Sequence, residues 1–118
     1  MNNPLLTLSL FHKILKNFFF KDYIEKRSKS FFIKNDLIKY FKKNHQNEFD
    51  PDWIDLKCIY DLVRKRKPNC MVEFGSGAST IAIGLALKEN ELKDKIKGRL
   101  FSVDGNKEWI ENTKKKNR

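Results

Sequence analysis

Two cysteines, two histidines, three prolines and five glycines are all that this chain of 118 residues holds of those types. Each scarcity excludes something. So little glycine and proline excludes a collagen-like chain and leaves no basis for a low-complexity or repeat architecture. Cys58 and Cys70 are too few for a disulfide framework, and neither belongs to a Cys-x-x-Cys or Cys/His ligand cluster. Both are expected to be reduced, buried core fillers in a reducing compartment. His12 and His45 stand apart and read as surface or boundary residues rather than general bases. No stretch approaches the roughly 20 consecutive apolar residues that a membrane span needs. The amino terminus does not read as a secretory signal. Its apolar stretch begins at Leu5 with no basic residue before it, and no small-residue cleavage site follows. Cytoplasmic residence is the expectation.

Basic residues are plentiful. There are 25 Lys plus Arg against 15 Asp plus Glu, a formal charge of +10, and aromatics at 13% suffice to build a core. Residues 1–69 carry +7 and residues 70–118 carry +3. Of the basic residues 20 are Lys and only 5 Arg. Phosphate forks and base readout favour Arg, so no strong nucleic-acid signal is present. What remains is weak, salt-sensitive attraction to anionic surfaces.

The length allows one modest domain. Within residues 5–20, Leu8, Phe11, Leu15 and Phe18 recur at helical spacing, with Ile14 and Phe19 widening the stripe. The spacing predicts an amphipathic helix packed on the rest of the fold. A membrane-surface or partner-docking helix is the alternative. Residues 21–35 are mixed and basic. Asp36 is placed to cap a short helix through Lys43 with Leu37, Ile38 and Phe41 inward, followed by a polar loop from His45 to Glu48. Asp50-Pro51-Asp52 reads as a helix start, with Asp50 as N-cap and Pro51 in the first turn. Trp53, Leu56, Ile59 or Tyr60, and Val63 form its inward stripe. The run Arg64-Lys65-Arg66-Lys67 suits its negative end, and Pro68-Asn69 stops it.

Beyond that point the pattern alternates. Cys70–Phe74 reads as a strand, Gly75–Ser79 as a small-residue turn and Thr80–Leu87 as an apolar helix start. Glu89–Gly98 is polar and partly helical, Arg99–Val103 is a second strand, and Lys107–Lys116 a last helix with Trp109 and Ile110 inward. Strand, helix, strand, helix predicts a parallel β-α-β unit with a right-handed crossover.

Chemistry concentrates in Glu73-Phe74-Gly75-Ser76-Gly77-Ala78-Ser79-Thr80 and in Asp104. Glycines at the carboxyl end of a strand let backbone approach a ligand, and the following helix start offers N–H donors. An acid ending the next strand can accept from two ribose hydroxyls, so a nucleoside ligand is implied. A P-loop is excluded, because no Gly-Lys-Ser/Thr follows the turn. A dinucleotide fingerprint wants glycine where Thr80 stands, and an acid about 20 residues on. Asp104 lies 27 residues past Gly77. Glu73 would repel a pyrophosphate and suits a cationic ligand, a difference on the order of a few kcal/mol at short range.

Residues 70–117 resemble the start of a class I, Rossmann-like S-adenosylmethionine-dependent methyltransferase. Glu73-x-Gly75-x-Gly77 is similar to that family's acid-x-Gly-x-Gly motif, with Ser79 where a third glycine is often found. Asp104 matches the acid after the second strand. The resemblance implies that Gly75 and Gly77 contact the methionine part of S-adenosylmethionine, Glu73 orients the loop or the ammonium group, and Asp104 holds the ribose. Phe74, Ser76, Ser79, Thr80 and Gly105 complete the expected cofactor-binding set. It leaves the catalytic residues unknown and implies no metal ligand.

The expected fold class is therefore α/β. It is an incomplete Rossmann-like sheet with its first two parallel strands, preceded by an α-helical N-terminal region. Residues 1–49 form the helical extension and 50–118 the start of the methyltransferase domain. The resemblance covers about 48 residues, and the expectation is a truncated protein or a piece of a longer reading frame. The expected function is methyl transfer to an unidentified acceptor, with this chain carrying the cofactor-binding half. Two alternatives stand beside it. One is a non-catalytic product binding anionic lipid or a protein partner through its basic N-terminus. The other is a different nucleotide-binding domain, such as one for a nicotinamide dinucleotide.

Overall fold

The computed structural model describes residues 4–41 and 50–116. The expected end of the Asp36 helix at Lys43 and the polar loop at 45–48 lie outside the described residues. Helix α1 runs Pro4–Lys34, a single 3₁₀ turn Ile38–Phe41 follows, and helix α2 spans Trp53–Arg66. Then come strand β1 (Cys70–Phe74), helix α3 (Ala78–Glu89), a π-type turn (Asn90–Asp94), strand β2 (Arg99–Val103) and helix α4 (Lys107–Lys116). The architecture is mixed, mostly helical, with one two-stranded parallel sheet.

The core is built from α1's last turns, α2 and α3. Phe32 is fully buried, and its ring meets Phe41 at 5.1 Å, Phe31 at 5.3 Å and Trp53 at 5.6 Å between centroids. Edge-on packing of this kind adds to simple burial. Leu56, Tyr60 and Val63 carry the cluster along α2, and Ile81, Ala82, Ala86 and Leu87 carry it along α3. Met71 and Leu100 press onto it from the sheet.

Several local expectations are corrected. Helix α1 does not stop near residue 20 but continues for 31 residues. Its first half is not packed: every residue from Leu8 to Tyr23 is exposed, and burial begins only at Ile24 and Ser28. Asp36 is not an N-cap. It sits at φ 55 and pairs instead with Lys39 of the 3₁₀ turn. The cap of α2 is Asp52 rather than Asp50. Its Oδ1 accepts from the Ile54 N–H at 3.0 Å and the Asp55 N–H at 3.1 Å. The Glu25 carboxylate of α1 accepts from the Trp53 N–H at 3.1 Å, so a tertiary contact helps set where α2 begins. Cys58 and Cys70 are free thiols but exposed rather than buried. Cys58 lies off the Leu56–Tyr60–Val63 stripe, and Cys70 opens β1 on the sheet face turned away from the core.

A polar clamp joins the end of α2 to the end of α3. Asn90 is fully buried. Its Nδ2 donates to the Val63 carbonyl at 3.1 Å, and its Oδ1 accepts from Arg64. Asp94 accepts from Arg64 at 2.8 Å and from Lys67 at 3.0 Å. These two cations hold its carboxyl below the usual carboxylate range. Lys67 closes α2 in the left-handed region at φ 48, returning its N–H to the Val63 carbonyl.

Gly98 is where the backbone comes closest. A Cβ there would lie 2.5 Å from the Pro68 carbonyl oxygen and 2.5 Å from Leu87 Cδ2. Gly98→Ala is therefore expected to lose about 1–3 kcal/mol of stability. Gly84→Ala, in the open middle of α3 with nothing within 4 Å of the new Cβ, is expected to gain up to about 1 kcal/mol. Urea unfolding of the two variants checks the opposite signs.

Candidate functional site

Parallel pairing sets the site. Register runs Cys70↔Arg99 through Phe74↔Val103, so both strands finish side by side. The loop Gly75-Ser76-Gly77 leaves one and Asp104-Gly105-Asn106 leaves the other. The Gly75 N–H donates to the Val103 carbonyl at 2.7 Å. Gly75 then turns at φ +92, where L side chains are strained.

Asp104 spans the two loops. Its Oδ2 accepts from the Ser76 N–H at 2.7 Å and from Ser76 Oγ at 2.8 Å. Its Oδ1 accepts from the Asn106 N–H at 2.9 Å. The backbone donors of Asn106 and Ser76, with the Ser76 hydroxyl, hold its carboxyl below the ordinary value.

Glu73 is the centre of a second cluster. Its Oε1 accepts from Thr80 Oγ1 and from Ser102 Oγ at 2.8 Å, and its Oε2 from Ser79 Oγ at 3.1 Å. Thr80 Oγ1 in turn accepts from the Gly77 N–H at 3.0 Å. One carboxylate thus fixes the first turn of α3 against the ends of both strands through charge-assisted bonds. A Cβ built at Gly77 or Gly105 meets nothing within 4 Å, so the backbone here borders open space. The start of α3 adds N–H groups without intrahelical acceptors.

Of the candidate residues, Glu73, Gly75, Ser76, Gly77, Ser79, Thr80 and Asp104 come together at these loops, and Gly105 follows directly. Phe74 does not join them. It is 88% exposed and alternates onto the sheet face opposite Glu73. Two participants went unrecognised. Ser102 shares Glu73's face because the register pairs them. Asn106 supplies the N–H two residues after Asp104, an Asx turn that the Asp-x-Asn spacing signals. Its own Oδ1 accepts from the Glu108 N–H at 3.0 Å and so caps α4.

No candidate residue lines the groove of about 550 Å³ bounded by Phe31, Tyr40, Tyr60, Leu85 and Leu92. Among the described residues, no cluster of His, Cys, Asp or Glu could hold a metal ion, and no helix is long and apolar enough to cross a membrane. No protein-family model, curated protein or solved structure matches the chain.

The lowered Asp104 value has a pH consequence. A carboxyl depressed in the folded state contributes stability above its unfolded value, near 3.9, and loses it as pH falls through the folded value. Asp104→Asn should lower the melting temperature by a constant amount between pH 5 and 8. The gap between variant and parent should close as pH falls from about 4 downward. Thermal unfolding followed by circular dichroism across that range measures it.

Proposed function

We propose that this chain carries the cofactor-binding half of a class I, Rossmann-like methyltransferase, and that the cofactor is S-adenosylmethionine. The observation that supports it best is the Ser76–Asp104 contact. It brings a glycine loop and a strand-ending acid together at the carboxyl edge of two adjacent parallel strands, where ligands of open α/β sheets bind. The mixed topology with both site loops at one edge is compatible with that fold.

The residues fit the group. Open space at Gly77 and Gly105 accommodates a ligand against backbone. Asp104 has about four acceptor directions, of which three are used internally. A ribose hydroxyl would donate to the remaining acceptor direction. Glu73 holds the loop through three hydroxyls and keeps a negative charge beside it, which favours a cationic ligand over a pyrophosphate. When bound, S-adenosylmethionine supplies an electrophilic methyl on a sulfonium. The part of this chain is to orient that methyl for in-line attack.

Calorimetric titration with S-adenosylhomocysteine tests the reading. Saturable binding is expected, undiminished by an equal concentration of NAD. Gly77→Val should abolish it while leaving the fold intact, since the new side chain enters open space. Asp104→Asn should weaken it roughly tenfold or more. Absence of saturable binding, or displacement by NAD, would overturn the proposal.

A further inference from the structure

The exposed half of α1 is the largest feature that the cofactor reading leaves unused. From Leu8 to Tyr23 it stands clear of the core, a rod of roughly 24 Å at 1.5 Å per residue. Leu8 is 70% exposed, Phe11 61% and Phe18 69%. At 3.6 residues per turn, Leu8, Phe11, Ile14, Leu15, Phe18 and Phe19 share one half of the circumference. Ser9, His12, Lys13, Lys16 and Asn17 occupy the other half, together with the exposed Leu10 and Phe20. Residues 8–23 contain three lysines and one acid, Asp22, which pairs with Lys26 at 3.0 Å.

We infer that this segment is an interfacial helix that docks on an anionic lipid surface. The charge decides the occupant. A helix with a Phe- and Leu-rich side, and with three lysines against one aspartate that is itself paired with Lys26, matches the interface of an acidic bilayer. There each lysine gains from the negative surface potential and each buried apolar group from leaving water. A second copy of the chain is disfavoured by the same charge, because pairing would bring two sets of Lys13, Lys16 and Lys21 together, within chains already at +10. Helix α1 lies flat, the Phe11–Phe18 side down, and the core attached beyond Ile24 stays in water. The inference uses no residue of the cofactor site, so either reading can fail alone.

Co-sedimentation of the full chain with vesicles tests it. Pelleting is expected with phosphatidylcholine vesicles containing phosphatidylserine, and not with phosphatidylcholine alone. High salt should release the protein. Lys13→Glu with Lys16→Glu should weaken partition on the order of tenfold or more, and Phe11→Ser with Phe18→Ser by a similar factor. These side chains are exposed, so unfolding curves of the variants should overlay the parent's. A Phe11→Trp reporter, whose emission should shift blue on acidic vesicles only, gives a readout independent of pelleting. Three results overturn the inference: no vesicle binding, equal binding to neutral vesicles that resists salt, or a dimer in sedimentation equilibrium dissolved by the Phe11/Phe18 substitutions.

Discussion

Parallel strands cannot be joined by a hairpin. The chain leaving Phe74 must travel the length of the sheet before it can pair Arg99–Val103 with Cys70–Phe74. Helix α3 and the π-type turn are that return path. Because the strands point the same way, their carboxyl ends and exit loops fall side by side, and a carboxylate at either end can reach the neighbouring segment. Glu73 and Asp104 both do so. Each crosses from one chain segment to the next, Glu73 to Ser102 and Asp104 to Ser76. The candidate site is thus a product of topology first and of side-chain chemistry second.

The remaining helices serve that unit. Helix α2 packs along α3 through Leu56, Tyr60 and Val63. The Asn90–Arg64–Asp94 clamp fixes the ends of the two helices in register. Phe32 brings only the last part of α1 into the same core. One face of the sheet receives this packing through Met71 and Leu100. The other presents Val72, Phe74, Phe101 and Val103 to solvent.

Much of the β-α-β unit was legible in the residues. Both strands and α4 have the bounds that alternation and punctuation indicated, because Pro68-Asn69, Gly98 and Gly105-Asn106 interrupt the chain where the backbone changes state. Parallel pairing followed from the order of elements. The N-terminal half was less legible for physical reasons. Between residues 21 and 34 helicity is supported by a local Asp22–Lys26 pair at 3.0 Å and by long-range burial of Phe32, neither of which makes a clean stripe. Asp50 was the expected cap and Asp52 takes the role instead; the Glu25 carboxylate, 28 positions before Trp53 in sequence, bears on the outcome. The exposed stripe of α1 carries the same periodicity as a buried one, so spacing alone could not say which it was. In the site, acids and glycines stood out by type, whereas Ser102 became visible only once the register was known.

The close approach at Gly98 has a bearing on how this scaffold can change. It lies at the amino ends of both strands, where the Arg99 N–H also meets the Asn69 carbonyl at 3.0 Å, whereas the candidate site lies at their carboxyl ends. Close packing at the amino edge thus complements the bonds at the carboxyl edge, where the Gly75 N–H meets the Val103 carbonyl and Ser102 meets Glu73. Changes confined to loops 75–77 and 104–106 leave the contacts at Gly98 and Arg99 in place to hold the register. The scaffold can therefore vary its candidate site while one anchor of the sheet stays fixed.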